Sequence, residues 1–287
     1  MARERNTLLT GSPRARRRLR AVFRSLPFLV LFSLAAADAS AVLQTRETIV
    51  VDDHRVGYVQ RGDGVNVIFE SGLGDAVEPW SAVFDDVSHF AHAFAYDRPG
   101  YGNSGRAFSQ RDGAHIVIEL HELLRATNVK PPYVMVGHSI GGMYAELFAR
   151  TYPDEVAALV LIESRPAEFT RRCKQARAPS CEVPAWLTSF MPPTAHAELQ
   201  ELDDMQRVLA AAPPLREDLP LWVISAGRHY TEGAKWSQLW DTMQRELAAT
   251  SANGHHVLAE RSGHYVQRDA RRVVVDAIRD AVKAATR

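Results

Sequence analysis

The residues best suited to covalent chemistry lie in Gly137-His138-Ser139-Ile140-Gly141-Gly142. A short apolar run, Tyr133 to Val136, precedes this stretch, and an apolar-periodic segment through Met143, Leu147 and Phe148 follows it, so the order reads strand, tight turn, helix. A serine on so sharp a turn must accept strained backbone angles, and glycines two residues before and after it remove Cβ atoms that would clash there. Ser139 would then project at a helix N-terminus, where backbone N–H groups and the helix dipole favour developing negative charge. The chemistry this suits is attack on a carbonyl. A serine hydroxyl is a weak nucleophile, so it also needs a base within hydrogen-bond reach and an acid to orient that base.

The strand, the GxSxG turn and the helix resemble the nucleophile elbow of the α/β-hydrolase fold family. Two more stretches carry the resemblance, which spans roughly residues 46–285. Residues 65–70 read as a strand running into Ser71-Gly72-Leu73-Gly74-Asp75, and Asp97-Arg98-Pro99-Gly100-Tyr101-Gly102-Asn103-Ser104 looks like the family's loop after its fourth strand. The first match implies that the backbone N–H of Leu73 is an oxyanion donor beside that of Ile140, with flanking glycines allowing close approach to a substrate. In the second, Asp97 and Arg98 are read as a charge pair holding the loop.

The family's chain order of nucleophile, acid, base implies roles for two further residues. His264, after Gly263 in a loop beyond the last strand, stands where the family carries its base. Of the eleven histidines, His138 must point away from Ser139, and His255 and His256 are the rivals. Many relatives place the acid after the strand at residues 221–225, but here Ala226-Gly227-Arg228-His229-Tyr230 follow, with no carboxylate before Glu232. The family's other position for the acid is the end of the strand after the elbow helix, and there Glu163 stands. Glu163 is taken as the acid, Glu232 as its rival and Asp241, in mid-helix, as a third choice. The resemblance implies a serine hydrolase that cleaves a small-molecule ester through an acyl-enzyme. Amidase, peptidase, lactonase, C–C hydrolase and perhydrolase chemistry on the same residues stays open, as does a non-catalytic binding protein. Epoxide opening and halide displacement use an Asp nucleophile in this fold and are disfavoured by Ser139.

The elements that must hold these residues follow from periodicity. Residues 47–51 and 55–60 flank a turn as a β-hairpin, and strands are expected at 92–96, 156–162, 221–225 and 256–259. Helices are expected at 78–87, 112–125, about 234–249 and about 271–284. Their alternation predicts an α/β fold with a mainly parallel central sheet flanked by helices. Residues from about 164 to 219 are too many for a connection of roughly two to six residues and lack a clear strand, so they are expected to form a helical cap. Charged stretches such as residues 197–212 read as cap helices. Trp186, Leu187, Phe190 and Met191 would either line a substrate pocket or form the cap's own core; Trp186 and Phe190 are the candidate substrate contacts.

The 287 residues, 46% hydrophobic and 24% charged, suit one α/β domain with a large core. The formal net charge of zero hides an asymmetry, because eight of the 34 basic residues but two of the 34 acidic residues precede Ser40. The remaining body, with 26 basic and 32 acidic residues, argues against a nucleic-acid partner. A basic start, an apolar run at residues 26–37 and an AxA-like site at Ala37 and Ala39 read as a signal peptide over residues 1–39, leaving a hydrolase domain at 40–287. The expected location is secreted or periplasmic, with no stable membrane span after cleavage; an uncleaved anchor is the alternative, although the run is shorter than the ~20 residues of a span. Arg17-Arg18 is a poor match to twin-arginine export. In an oxidising compartment Cys173 and Cys181 are expected to pair, the alternative being two inert thiols. No soft-ligand cluster or nucleotide fingerprint points to a metal or organic cofactor. The expected partner is a small-molecule substrate, and the oligomeric state is left open.

Overall fold

Val51 and His54 close the first hairpin around Asp52 and Asp53, whose φ angles of 45° and 64° are the left-handed values a two-residue hairpin turn demands. The computed structural model describes residues 46–229 and 233–287, so the expected signal peptide and the rival acid Glu232 lie outside the described residues. The hairpin joins β1 (Glu47–Val51) to β2 (His54–Arg61), and β2 pairs antiparallel with β4 (His92–Tyr96). Beyond β4 every pairing is parallel, through β3 (Asn66–Glu70), β5 (Tyr133–His138), β6 (Val156–Ile162), β7 (Leu221–Ala226) and β8 (Gly254–Ala259). The eight strands run in the order β1-β2-β4-β3-β5-β6-β7-β8. The chain leaves β3 toward β4 and leaves β5 toward β6, on opposite sides. The switch opens a crevice at the carboxyl ends of β3 and β5, where Glu70 is paired with Gly137.

Strand side chains alternate between faces, and each face is buried under helices. Met135, Leu159 and Leu161 point into a cluster with the elbow helix Ile140–Thr151 and the helix Gly113–Ala126. Val134, Val136, Val160 and Ile162 point into the opposite cluster with the helices Ser81–Val87 and Arg271–Ala285. Residues 78–87 divide into a 3₁₀ turn, Glu78–Trp80, and the helix Ser81–Val87. β5 is buried at every position, so the elbow rises from the middle of the core.

Between β6 and β7 the chain forms the helices Phe169–Gln175, Ala185–Thr188, Pro193–Gln200 and Leu202–Ala211, with no strand among the described residues. The expected helix at residues 197–212 is broken at Glu201 into the last two of these. Cys173 and Cys181 form the expected disulfide, with 5.6 Å between their Cα atoms. Cys173 and Phe169 pack on Trp236, Trp240 and Met243 of the helix Ala234–Ala248, fastening the segment to the domain.

Candidate active site

Ser139 occupies the turn between β5 and the elbow helix with φ 57° and ψ −123°, a strained conformation for a residue with a Cβ. The strain is tolerated because everything around it is fixed. Its N–H donates to the carbonyl of Ile162 at 3.0 Å, and its carbonyl accepts from Gly142 at 3.1 Å and from Arg165 at 3.3 Å. A Cβ on Gly137 would lie 2.6 Å from the Gly141 carbonyl oxygen, so the turn closes only with glycine there. Ser139 is partly exposed, and among the described residues its hydroxyl has no hydrogen-bond partner.

Glu163 ends β6, one strand away from the elbow, and is 1% exposed. Its Oε1 accepts from the Ala226 N–H at 2.7 Å and from the Trp240 indole N–H at 3.0 Å. Its Oε2 faces Nδ1 of His264 at 3.4 Å, across 101 residues of sequence. The His264 side chain is 47% exposed, so part of its ring is open to solvent. The His264 carbonyl accepts from Nε2–H of His138 at 3.0 Å, which ties the base's loop to the residue preceding Ser139. Burial, reinforced by the neighbouring His264, holds His138 well below the ordinary histidine range, so it stays neutral.

The other acid and base candidates are placed elsewhere. Asp241 lies 4.0 Å from His229, and His256 bonds Ser225 at 2.7 Å while His255 lies against Trp222.

The loop after β3 faces the elbow across the crevice. Among the described residues the N–H groups of Leu73 and Ile140 have no partner. The loop is held from beneath by Arg98, which donates through Nη1 to the Ser71 carbonyl at 2.6 Å and through Nη2 to the Gly72 carbonyl at 2.8 Å. Nη1 also meets Glu70 at 2.7 Å, and Nε and Nη2 meet both oxygens of Glu198 at 3.0 Å. Glu198 belongs to the helix Pro193–Gln200, so one guanidinium joins the inter-strand segment to the loop that carries Leu73. The expected Asp97–Arg98 pair does not form. Asp97 instead accepts from the N–H groups of Val77 and Asn103 and meets Arg46 at 3.1 Å, because the backbone turn sends the two adjacent side chains apart. Burial raises the Asp97 carboxyl, against which those bonds work.

Trp186 and Phe190 are 53% and 75% exposed and belong to no buried cluster, so neither forms a core for the inter-strand segment. The side chain of Leu187 is outside the described ones. Sequence reasoning missed Glu198 and Trp240, since nothing in a helical charge pattern distinguishes a buried Glu from the solvated Glu residues beside it. Among the described residues no three His, Cys, Asp or Glu side chains group to hold a metal, and no helix is long and apolar enough to cross a membrane.

Comparison with known proteins gives the same architecture. Residues 65–209 match the family model for the alpha/beta hydrolase fold. The chain is 31% identical over 239 residues to the uncharacterized protein YqjL of Bacillus subtilis, covering 81% of this chain and 87% of that one. A thermophilic esterase from Thermogutta terrifontis superposes with a TM-score of 0.65 at 18% identity, covering 84% of this chain and 99% of that one. The epoxide hydrolase CorEH superposes with a TM-score of 0.62 at 15% identity, over 83% and 98% of the two chains. At such identities the two superpositions establish a shared fold and leave the reaction to the site itself.

Proposed function

The chain belongs to the alpha/beta hydrolase fold family and is a hydrolase, and from that premise we propose that it cleaves a small-molecule ester through an acyl-enzyme on Ser139. The observation that carries this reading is the meeting of His264 with the buried Glu163, whose other oxygen is already committed to Ala226 and Trp240. A carboxylate so fixed accepts from Nδ1–H, which leaves Nε2 of His264 as the basic nitrogen.

In the proposed reaction Ser139 Oγ attacks the carbonyl carbon while Nε2 of His264 takes its proton. The N–H groups of Leu73 and Ile140 receive the oxyanion, an interaction typically worth about 3 kcal/mol per donor. The tetrahedral intermediate collapses, the C–O bond to the leaving group breaks, and His264 returns the proton to the departing alcohol. Water then attacks the acyl-enzyme, its proton passing through His264 to Ser139 as the acid leaves. Glu163 holds the imidazole in one tautomer throughout. As proposed substrate contacts, Trp186 and Phe190 offer exposed apolar surface at the edge of the cap over residues 164–219. Export through removal of residues 1–39 belongs to the same proposal, and the Cys173–Cys181 disulfide supports an oxidising location.

The test is labelling with a fluorophosphonate together with a screen of p-nitrophenyl esters of increasing chain length, an amide and a lactone. Labelling at Ser139 with turnover of at least one ester is expected, and Ser139→Ala should lose both. Full esterase activity in Ser139→Ala would refute the reading, and an intact protein that takes no label would favour a binding protein of this fold.

A further inference from the structure

Arg165 stands two residues beyond Glu163, and its backbone N–H bonds the carbonyl of Ser139 at 3.3 Å. Its guanidinium turns into the segment between β6 and β7. There Nη2 donates to Thr170 Oγ1 at 2.8 Å and to the Cys181 carbonyl at 3.3 Å, and the group lies 4.9 Å from the centre of the Phe169 ring. All of these partners are neutral. The buried guanidinium of Arg98 meets Glu70 and Glu198, Arg111 meets Glu119 and Arg150 meets Glu146, but among the described residues no carboxylate pairs with Arg165. Asp203 and Glu182 act on it only from a distance. Among the described residues its Nε is buried without a partner, and its Nη1 makes no bond and is not sealed off. The Thr170 hydroxyl accepts from both Arg165 and Gln206 Nε2, so its own O–H is unspent.

A guanidinium held largely away from water without a counter-ion is costly, and burial pulls its pKa down to about 10, still leaving it charged at neutral pH. An anion brought in from outside offsets that cost. The main chain of Arg165 touches that of the nucleophile, so its side chain starts out beside the elbow. We propose that Arg165, with the Thr170 hydroxyl, recognises a carboxylate or phosphate group on the substrate, so that the preferred ester is anionic. This rests on the reading of Ser139 as the nucleophile.

The test compares p-nitrophenyl hemiglutarate with the neutral p-nitrophenyl valerate of similar length, each corrected for the buffer blank. The wild type, Arg165→Gln and Arg165→Lys are measured, with fluorophosphonate labelling certifying that each variant has a folded site. The wild type should favour the hemiglutarate in kcat/KM by at least about tenfold. Arg165→Gln should lose about tenfold to a hundredfold on the hemiglutarate and little on the valerate, with Arg165→Lys in between. No wild-type preference, or equal losses on both esters in a labelled variant, overturns the proposal. A second measurement does not depend on Ser139: calorimetric titration of the wild type and Arg165→Gln with glutarate and with inorganic phosphate. Binding that Arg165→Gln abolishes supports the anion site even if Ser139 takes no label, and the better ligand tells carboxylate from phosphate. No binding of either by the wild type overturns it.

Discussion

Glu163 divides its two oxygens between tasks, one fixed by a backbone N–H and an indole N–H, the other turned to His264. Its neutral isostere would keep the shape and lose the charge that orients the imidazole, so Glu163→Gln should lower kcat by about 10³- to 10⁴-fold with a smaller change in KM. Glu232→Gln, assayed beside it, should stay near wild type; the reverse ranking would move the acid to Glu232. His138 makes a different prediction. Burial, with His264 adding to it, keeps the folded histidine from taking a proton that the unfolded chain accepts below about pH 6.5. The sign follows: with the folded pKa depressed, the unfolded state binds more protons there, so stability falls as pH drops below that value, by at most about 1.4 kcal/mol per pH unit. His138→Asn lacks this contribution. Denaturant titrations at about pH 8 and about pH 5.5 should show the wild type's advantage over the variant shrinking at the lower pH, and an unchanged gap would argue against a neutral buried His138.

At the scale of elements, the crevice is set by the strand order, and the loop on its far side is set by Arg98. The guanidinium binds the carbonyls of the two residues before Leu73 and reaches Glu198 in the helix Pro193–Gln200. Removing it leaves buried Glu70 without its cation and Glu198 with only Arg111 at 3.7 Å, so Arg98→Met should cost about 3 to 5 kcal/mol of stability. Glu198→Gln keeps most of the shape and hydrogen-bonding capacity, and provides the gentler probe of whether this helix steadies the Leu73 loop. If it does, the variant should lower kcat more than it raises KM, because the proposed role of the Leu73 N–H falls at the moment the oxyanion forms. A fall in kcat/KM that lies entirely in KM would separate the helix from that loop.

Over the whole molecule, the segment between β6 and β7 is attached to the domain through the Arg98–Glu198 contact, through Met205 and Leu209, which are buried in the main core cluster, and through the aromatic cluster around the Cys173–Cys181 disulfide. The bridged cysteines are eight residues apart, and closing so short a loop stabilises by roughly 2 to 3 kcal/mol. Thermal unfolding of a Cys173→Ser/Cys181→Ser double variant should begin several degrees below the wild type, and the same shift should follow reduction of the wild type. The elbow, the hairpin and the alternating strands were legible because each is encoded by near neighbours: glycines where a Cβ has no room, a period of two in strands and of 3.6 in helices. Glu163 and His264 were legible through the resemblance to a family whose chain order is known. What the sequence by itself determined is therefore the order of elements, the position of Ser139 and the pairing of the two cysteines. Tertiary structure alone decided that Arg98 pairs with Glu198 across 100 residues rather than with adjacent Asp97, that Trp240 holds Glu163, that Trp186 and Phe190 face outward and that Arg165 has no counter-ion among the described residues. Local periodicity marks which residues share a face, but the partner of a buried charge is chosen by the packing of segments that sequence does not place side by side.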